Sequence, residues 1–163
     1  TPIVNNGGTY IDEEKPMMTG TPATAAVGLR VLTVFMGIFL LLMGMNKLAW
    51  FNDSSELVWQ LQQWQELTSG LSRRYIDTVA LPGASVFARL VPLGELAAGI
   101  ALMVGFRVRL VAVVALLMVC NFHFASGIVF TTGYFTNGYG PPVIGALLAL
   151  ACGGRRLPWS LRG

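Results

Sequence analysis

From Val31 to Met45 the chain reads VLTVFMGIFLLLMGM, without one charged side chain. Extended by its apolar neighbours, such a run can cross a bilayer, because a helix rises about 1.5 Å per residue and the hydrocarbon core is about 30 Å thick. In lipid every backbone N–H and C=O must be satisfied within the segment, so a continuous apolar run of this kind is read as a helix. The pattern recurs, and four spans are expected at about 25–50, 84–106, 110–130 and 141–154. The fourth is short. It gains length only if the preceding TNGYG is buried against the bundle or the helix continues into RRLPW. Its Pro141-Pro142 start is well placed, since the first N–H groups of a helix have no helical partner.

Composition agrees with lipid as the solvent. Of 163 residues, 54% are hydrophobic and 12% charged, against about 25% charged in a soluble domain. The expected fold is all-α: a polytopic four-transmembrane-helix bundle over 24–163, preceded by a polar N-terminal tail over 1–23. That tail is partly acidic and unlike a secretory signal, and Thr1 is compatible with removal of an initiator Met. A net charge of +3 leaves no nucleic-acid footprint. Its placement orients the spans. Lys15 and Arg30 flank the start of the first span, Arg107 and Arg109 separate the second from the third, and Arg155, Arg156 and Arg162 follow the fourth. The opposite side carries Lys47, Arg73, Arg74 and Arg89 around a longer loop. Counting bases in short loops puts both termini in the cytoplasm of a bacterial-type inner membrane.

The loop between the first two spans contains a further helix, expected at about 54–68. Asp53 and Glu56 stand at capping-box spacing, and Leu57, Leu61 and Trp64 recur on one face. It is read as an interfacial amphipathic helix, with Trp50, Phe51, Trp59 and Trp64 as an aromatic belt. LSRRYIDTVALPG then reads as a connector. Cys120 and Cys152 are expected to be buried free thiols. Their offset of ~15 Å along the helix axis exceeds the roughly 7 Å that a disulfide tolerates.

Glu95 is the residue that needs an explanation. It falls about eleven residues, or ~16 Å, below the end of its span, where a bare carboxylate costs at least ~2.5–3.5 kcal/mol. Ionisable groups at such depth pair inside the bundle. Lys47 with Asn46 beside it, Arg89, and His123 lie toward the same membrane side. The expected polar cluster is therefore Lys47, Arg89, Glu95 and Asn46, with His123 lining the same pocket. Lys47 and Arg89 could instead snorkel to the headgroups, and His123 could be a hydrogen-bonded packing residue. Gly37 and Gly44 on the first span, with Gly94, Ala97, Ala98, Gly99 and Ala101 on the second, suit close helix approach.

The segments GMNKL, PLGELAAGIALMVGFRVRL, HFASG and NGYGPP…GGRRLPWSL together resemble the DoxX/DoxD-like membrane proteins, over roughly Val27 to Leu161. Gly44-x-x-Lys47-Leu48 and Gly94-Glu95-x-x-x-Gly99 are the most specific parts. The resemblance implies a four-helix membrane bundle, and in one branch the membrane subunit of a thiosulfate:quinone oxidoreductase. The acidic tail and the long outer helix go beyond the minimal pattern and suggest partner surfaces.

Three functions follow. With no bis-His pair, CxxCH, iron–sulfur spacing, nucleotide loop or metal cluster in the sequence, the first is an accessory subunit, more a structural than a catalytic part, of a larger respiratory or photosynthetic redox complex. The second is a quinone-linked oxidoreductase subunit in which Glu95 and His123 handle protons. The third is axial ligation of a chlorophyll or haem by His123, flanked by Phe122 and Phe124. No intrinsic cofactor is expected in the first. A quinone or a lipid is the candidate small molecule, and the partners are the lipid bilayer and other membrane subunits.

Overall fold

The computed structural model describes residues 23–161. The polar tail expected over 1–23 falls, except for Ala23, outside the described residues, as does Arg162. The described chain is all-α, with helices α1 (Ala23–Met45), α2 (Ser55–Leu67), α3 (Gly70–Tyr75), α4 (Ala84–Val104), α5 (Val108–Ala125) and α6 (Pro141–Gly153). Three of these are long and apolar enough to span a membrane, and α6 is a shorter apolar helix. The protein is an integral membrane helical bundle.

Small residues set its tightest seam. α1 and α4 run antiparallel. A Cβ added at Gly99 would lie 2.7 Å from the Leu41 nitrogen and 2.8 Å from the Gly37 carbonyl oxygen, and one at Gly44 would lie 3.0 Å from the Leu96 nitrogen. Among lipid tails no hydrophobic drive separates helix from solvent, so close van der Waals contact of this kind holds the pair. Met36, Leu40, Ala98, Leu102, Ala112, Ala115, Leu147 and Leu150 form the shared core of α1, α4, α5 and α6. Large side chains such as Phe35, Leu93, Ile100 and Leu117 point outward and are exposed, as a lipid-facing surface requires.

The ends of the long helices differ from the sequence expectation. α1 stops at Met45 rather than near 50, and the chain turns into a 3₁₀ segment, Leu48–Phe51. α5 stops at Ala125 rather than near 130. Gly127, at φ +70, breaks it, and two 3₁₀ turns, Ile128–Phe130 and Thr132–Thr136, follow. The segment read as a connector is helical: α3 passes into a π-helical turn, Ile76–Ala80. That turn carries a second core of Trp50, Leu57, Leu61, Ile76, Ala80, Ala84 and Ala88. The apolar stripe of α2 is thus covered by the chain itself, leaving Trp59 and Leu67 exposed. Trp50 is buried in this core, a correction to its place in an aromatic belt.

The capping box at α2 does not form. Asp53 instead accepts the backbone N–H (2.8 Å) and the hydroxyl (2.7 Å) of Ser55, while Glu56 turns back toward Trp50. Asp53 is thereby held below the ordinary carboxylate range, first by the hydroxyl and then by the N–H of Ser55. The cysteines also differ from expectation: both are free, but both are exposed rather than buried, on the outside of α5 and α6.

At the opposite end of the bundle α4 closes with all its last carbonyls satisfied. Gly105 takes the left-handed conformation at φ +74. Its N–H bonds Leu102 O and that of Phe106 bonds Ala101 O, the Schellman pattern. Arg30, buried on α1, donates to Leu102 O at 3.2 Å and Met103 O at 2.7 Å. The N–H of Leu161 completes the set on Val104 O. Arg109 plays a similar part for α6, donating Nε to Ala151 O at 2.7 Å.

Candidate functional site

The turn that ends α1 presents Lys47 to the flank of α4. Its side chain folds back along the helix, so that Nζ reaches Met43 O at 3.1 Å, Glu95 Oε1 at 2.8 Å and Glu95 Oε2 at 2.7 Å. An ammonium has three protons to donate, and three oxygens take them. Gly44 makes this reach possible: a Cβ there would lie 3.1 Å from the Glu95 Cβ, so the α1 backbone sits directly beside the carboxylate. Glu95 is buried at 5% exposure.

Aromatic rings enclose the cation. Lys47 Nζ lies 5.8 Å from the Trp50 ring centre and 5.9 Å from that of Phe122, within the range of cation–π attraction. Trp50 passes the connection on, donating its indole N–H to Glu56 at 2.9 Å. Phe122 packs edge-on against Trp64. The ion pair is therefore tied to α1, α4, α5 and α2 at once.

Of the other expected members, Arg89 is exposed and donates to Ser85 O on its own helix, and Asn46 is exposed. Neither joins the pair. His123 is half-buried and turns elsewhere. Its Nδ1 is 3.5 Å from the Tyr134 hydroxyl, and the two rings meet edge to face at 5.6 Å. Helical geometry explains the difference: adjacent residues on α5 point about 100° apart, and Phe122 takes the direction that faces Lys47. Phe122 and Phe124 are engaged with Trp64 and with Tyr75 and Phe130. The ring paired with His123 is that of Tyr134 rather than either phenylalanine.

A small cavity of about 30 Å³ lies behind Phe122, lined by Leu61, Trp64, Tyr75, Val91 and Asn121. Tyr75 donates to Asn121 Oδ1 at 2.7 Å at its edge. Its size suits a water molecule rather than an aromatic ligand.

Trp50, Glu56 and Phe122 have other places in the sequence reading, as belt, capping-box and macrocycle-flanking residues, and nothing there joins them to the ion pair or Arg30 to the end of α4. The signal for Trp50 was its spacing from Lys47, three residues on. For Arg30 the sequence offers only its place beside the start of the first span.

The DoxX family model matches residues 28–125, which runs from within the second turn of α1 to the end of α5 and takes in both members of the ion pair. The match ends before the NGYGPP…GGRRLPWSL segments that also carried the resemblance. No curated protein and no solved structure matches the chain.

Proposed function

Because this chain belongs to the DoxX family of membrane proteins, we propose that it acts as a non-catalytic helical subunit of a larger redox membrane complex. The observation that supports this reading is the closure of the Lys47–Glu95 pair. Both carboxylate oxygens and the ammonium are engaged with each other and with Met43 O, and aromatic rings cover the cation. A proton-handling carboxylate needs an open route to its substrate, whereas a structural pair needs the enclosure seen here. The sequence has one His and two Cys, too few for bis-His haem or four-Cys cluster ligation. The electron carriers then belong to partner chains.

Gentle detergent extraction from the native membrane tests this. The chain should elute at high mass with a protein that carries a haem, flavin or iron–sulfur absorbance. Elution as a lone monomer without such a partner overturns the reading. A second reading, a quinone-linked sulfur-compound oxidoreductase subunit, draws support from the His123–Tyr134 contact at the same end of the bundle as Glu95. It requires thiosulfate-dependent quinone reduction in proteoliposomes, lost on Glu95→Gln or His123→Phe.

A further inference from the structure

Four arginines converge at the end of the bundle away from the ion pair. Arg107 stands in the α4–α5 turn, Arg109 in the first turn of α5, and Arg155 and Arg156 just beyond α6. They line one pocket of about 1150 Å³, and among the described residues no carboxylate lines it. The described carboxylates, Asp53, Glu56, Glu66, Asp77 and Glu95, lie at the other end of the bundle or within α4. Leu110 and Val113 extend the same wall along α5 and are exposed. Arg109 is fixed by its Nε bond to Ala151 O, which leaves its two amino groups unneeded for that cap.

Convergent like charges repel, and a concave site lined by one sign of charge concentrates counter-ions. Guanidinium groups match phosphate oxygens in geometry as well as charge. Beside the cations, the apolar wall faces the region of acyl chains. We propose that this pocket is a binding site for an anionic phospholipid, with the phosphate held by Arg107, Arg109, Arg155 and Arg156 and an acyl chain lying along Leu110 and Val113. Basic pockets between membrane helices bind acidic headgroups in this way.

The test uses the full chain, delipidated in neutral detergent and followed by native mass spectrometry. Phosphatidylglycerol should be retained at least tenfold more tightly than phosphatidylcholine, and millimolar inorganic phosphate should not displace it. The triple variant R107Q/R155Q/R156Q keeps Arg109 and with it the α6 cap. It should lose on the order of a hundredfold in phosphatidylglycerol affinity, since each basic residue near an anionic lipid is worth roughly fivefold. R73Q/R74Q, at the opposite end, should bind as the parent does. Equal retention of the two lipids, an unchanged triple variant, or an equal loss in R73Q/R74Q overturns the proposal. Displacement by inorganic phosphate alone makes it a free-anion site and overturns the lipid assignment. If the triple variant fails to fold, the comparison of lipids and phosphate on the parent chain still decides.

Discussion

At Lys47, three protons meet three acceptors, and the consequence of removing one side of that match can be stated. Glu95→Ala leaves a largely buried cation without its counter-charge, which costs roughly 3–5 kcal/mol. Its thermal midpoint in detergent should fall well below that of Glu95→Gln, which keeps the shape and a hydrogen-bonding oxygen. Replacing both partners together, Lys47→Met with Glu95→Leu, should recover most of the loss, because a well-packed apolar pair can match a buried ion pair. A double variant as unstable as Glu95→Ala contradicts a purely structural pair. Asp53 gives a milder effect with a defined sign. Its carboxyl is lowered by the Ser55 contacts, so the stability it adds is complete above the ordinary value of about 3.9 and is lost as pH falls through the lower folded value. Amide exchange at Ser55, compared with an Asp53→Ala variant, should converge only in acid. The sequence narrows the partner of Glu95 to Lys47 or Arg89, because depth along antiparallel helices limits which bases can reach it, but the choice between the two is not legible there. Nor is the direction of His123, since a shift of one residue on α5 decides whether a side chain faces Lys47 or Tyr134.

On the scale of helices, two kinds of contact hold the bundle: glycine seams and arginine caps. Gly99→Ala should destabilise by about 1–3 kcal/mol, as overpacking does, since its Cβ would meet the Leu41 and Gly37 backbones. Gly145→Ala meets nothing within 4 Å and should stabilise α6 by about 0.5–1 kcal/mol from helix propensity. Thermal unfolding of the two variants side by side separates packing from propensity. Arg30→Ala removes two charged hydrogen bonds from the end of α4 and should cost roughly 2–3 kcal/mol, with faster amide exchange confined to the α4–α5 turn. Apolar runs were enough to read the long helices, whereas the π-helical turn at Ile76–Ala80 was not legible. Its register depends on the core that Ile76 shares with Trp50 and Leu57, a meeting of distant segments that no local pattern records. The cysteines are exposed against expectation for a related reason. An apolar run shows burial from water, and in this protein the outside of a helix is also dry.

For the whole molecule, the chain crosses between an end that holds the Lys47 turn and α2 and an end that holds Arg30, Arg109 and the C-terminal segment. Cysteines introduced at Ser55 and Ser160, in a background without Cys120 and Cys152, should react with an impermeant maleimide from opposite sides of a sealed vesicle. Reaction from the same side contradicts this arrangement. The docking of Leu161 on Val104 was beyond sequence reading, because it joins the chain's last described residue to a helix end far away in sequence. α6 has 13 residues, roughly 20 Å along its axis, whereas α1 has 23, roughly 35 Å. The helical thickness therefore falls along the α6 edge, where the 3₁₀ turns bearing exposed Phe130 and Phe135 cover part of the difference, and a thinner bilayer or a neighbouring helix would cover the rest. Mismatch of this kind carries an elastic cost that sorts proteins among membranes of different thickness and draws helices together. The thin edge sets the direction from which a second membrane helix would approach with the least deformation of the bilayer.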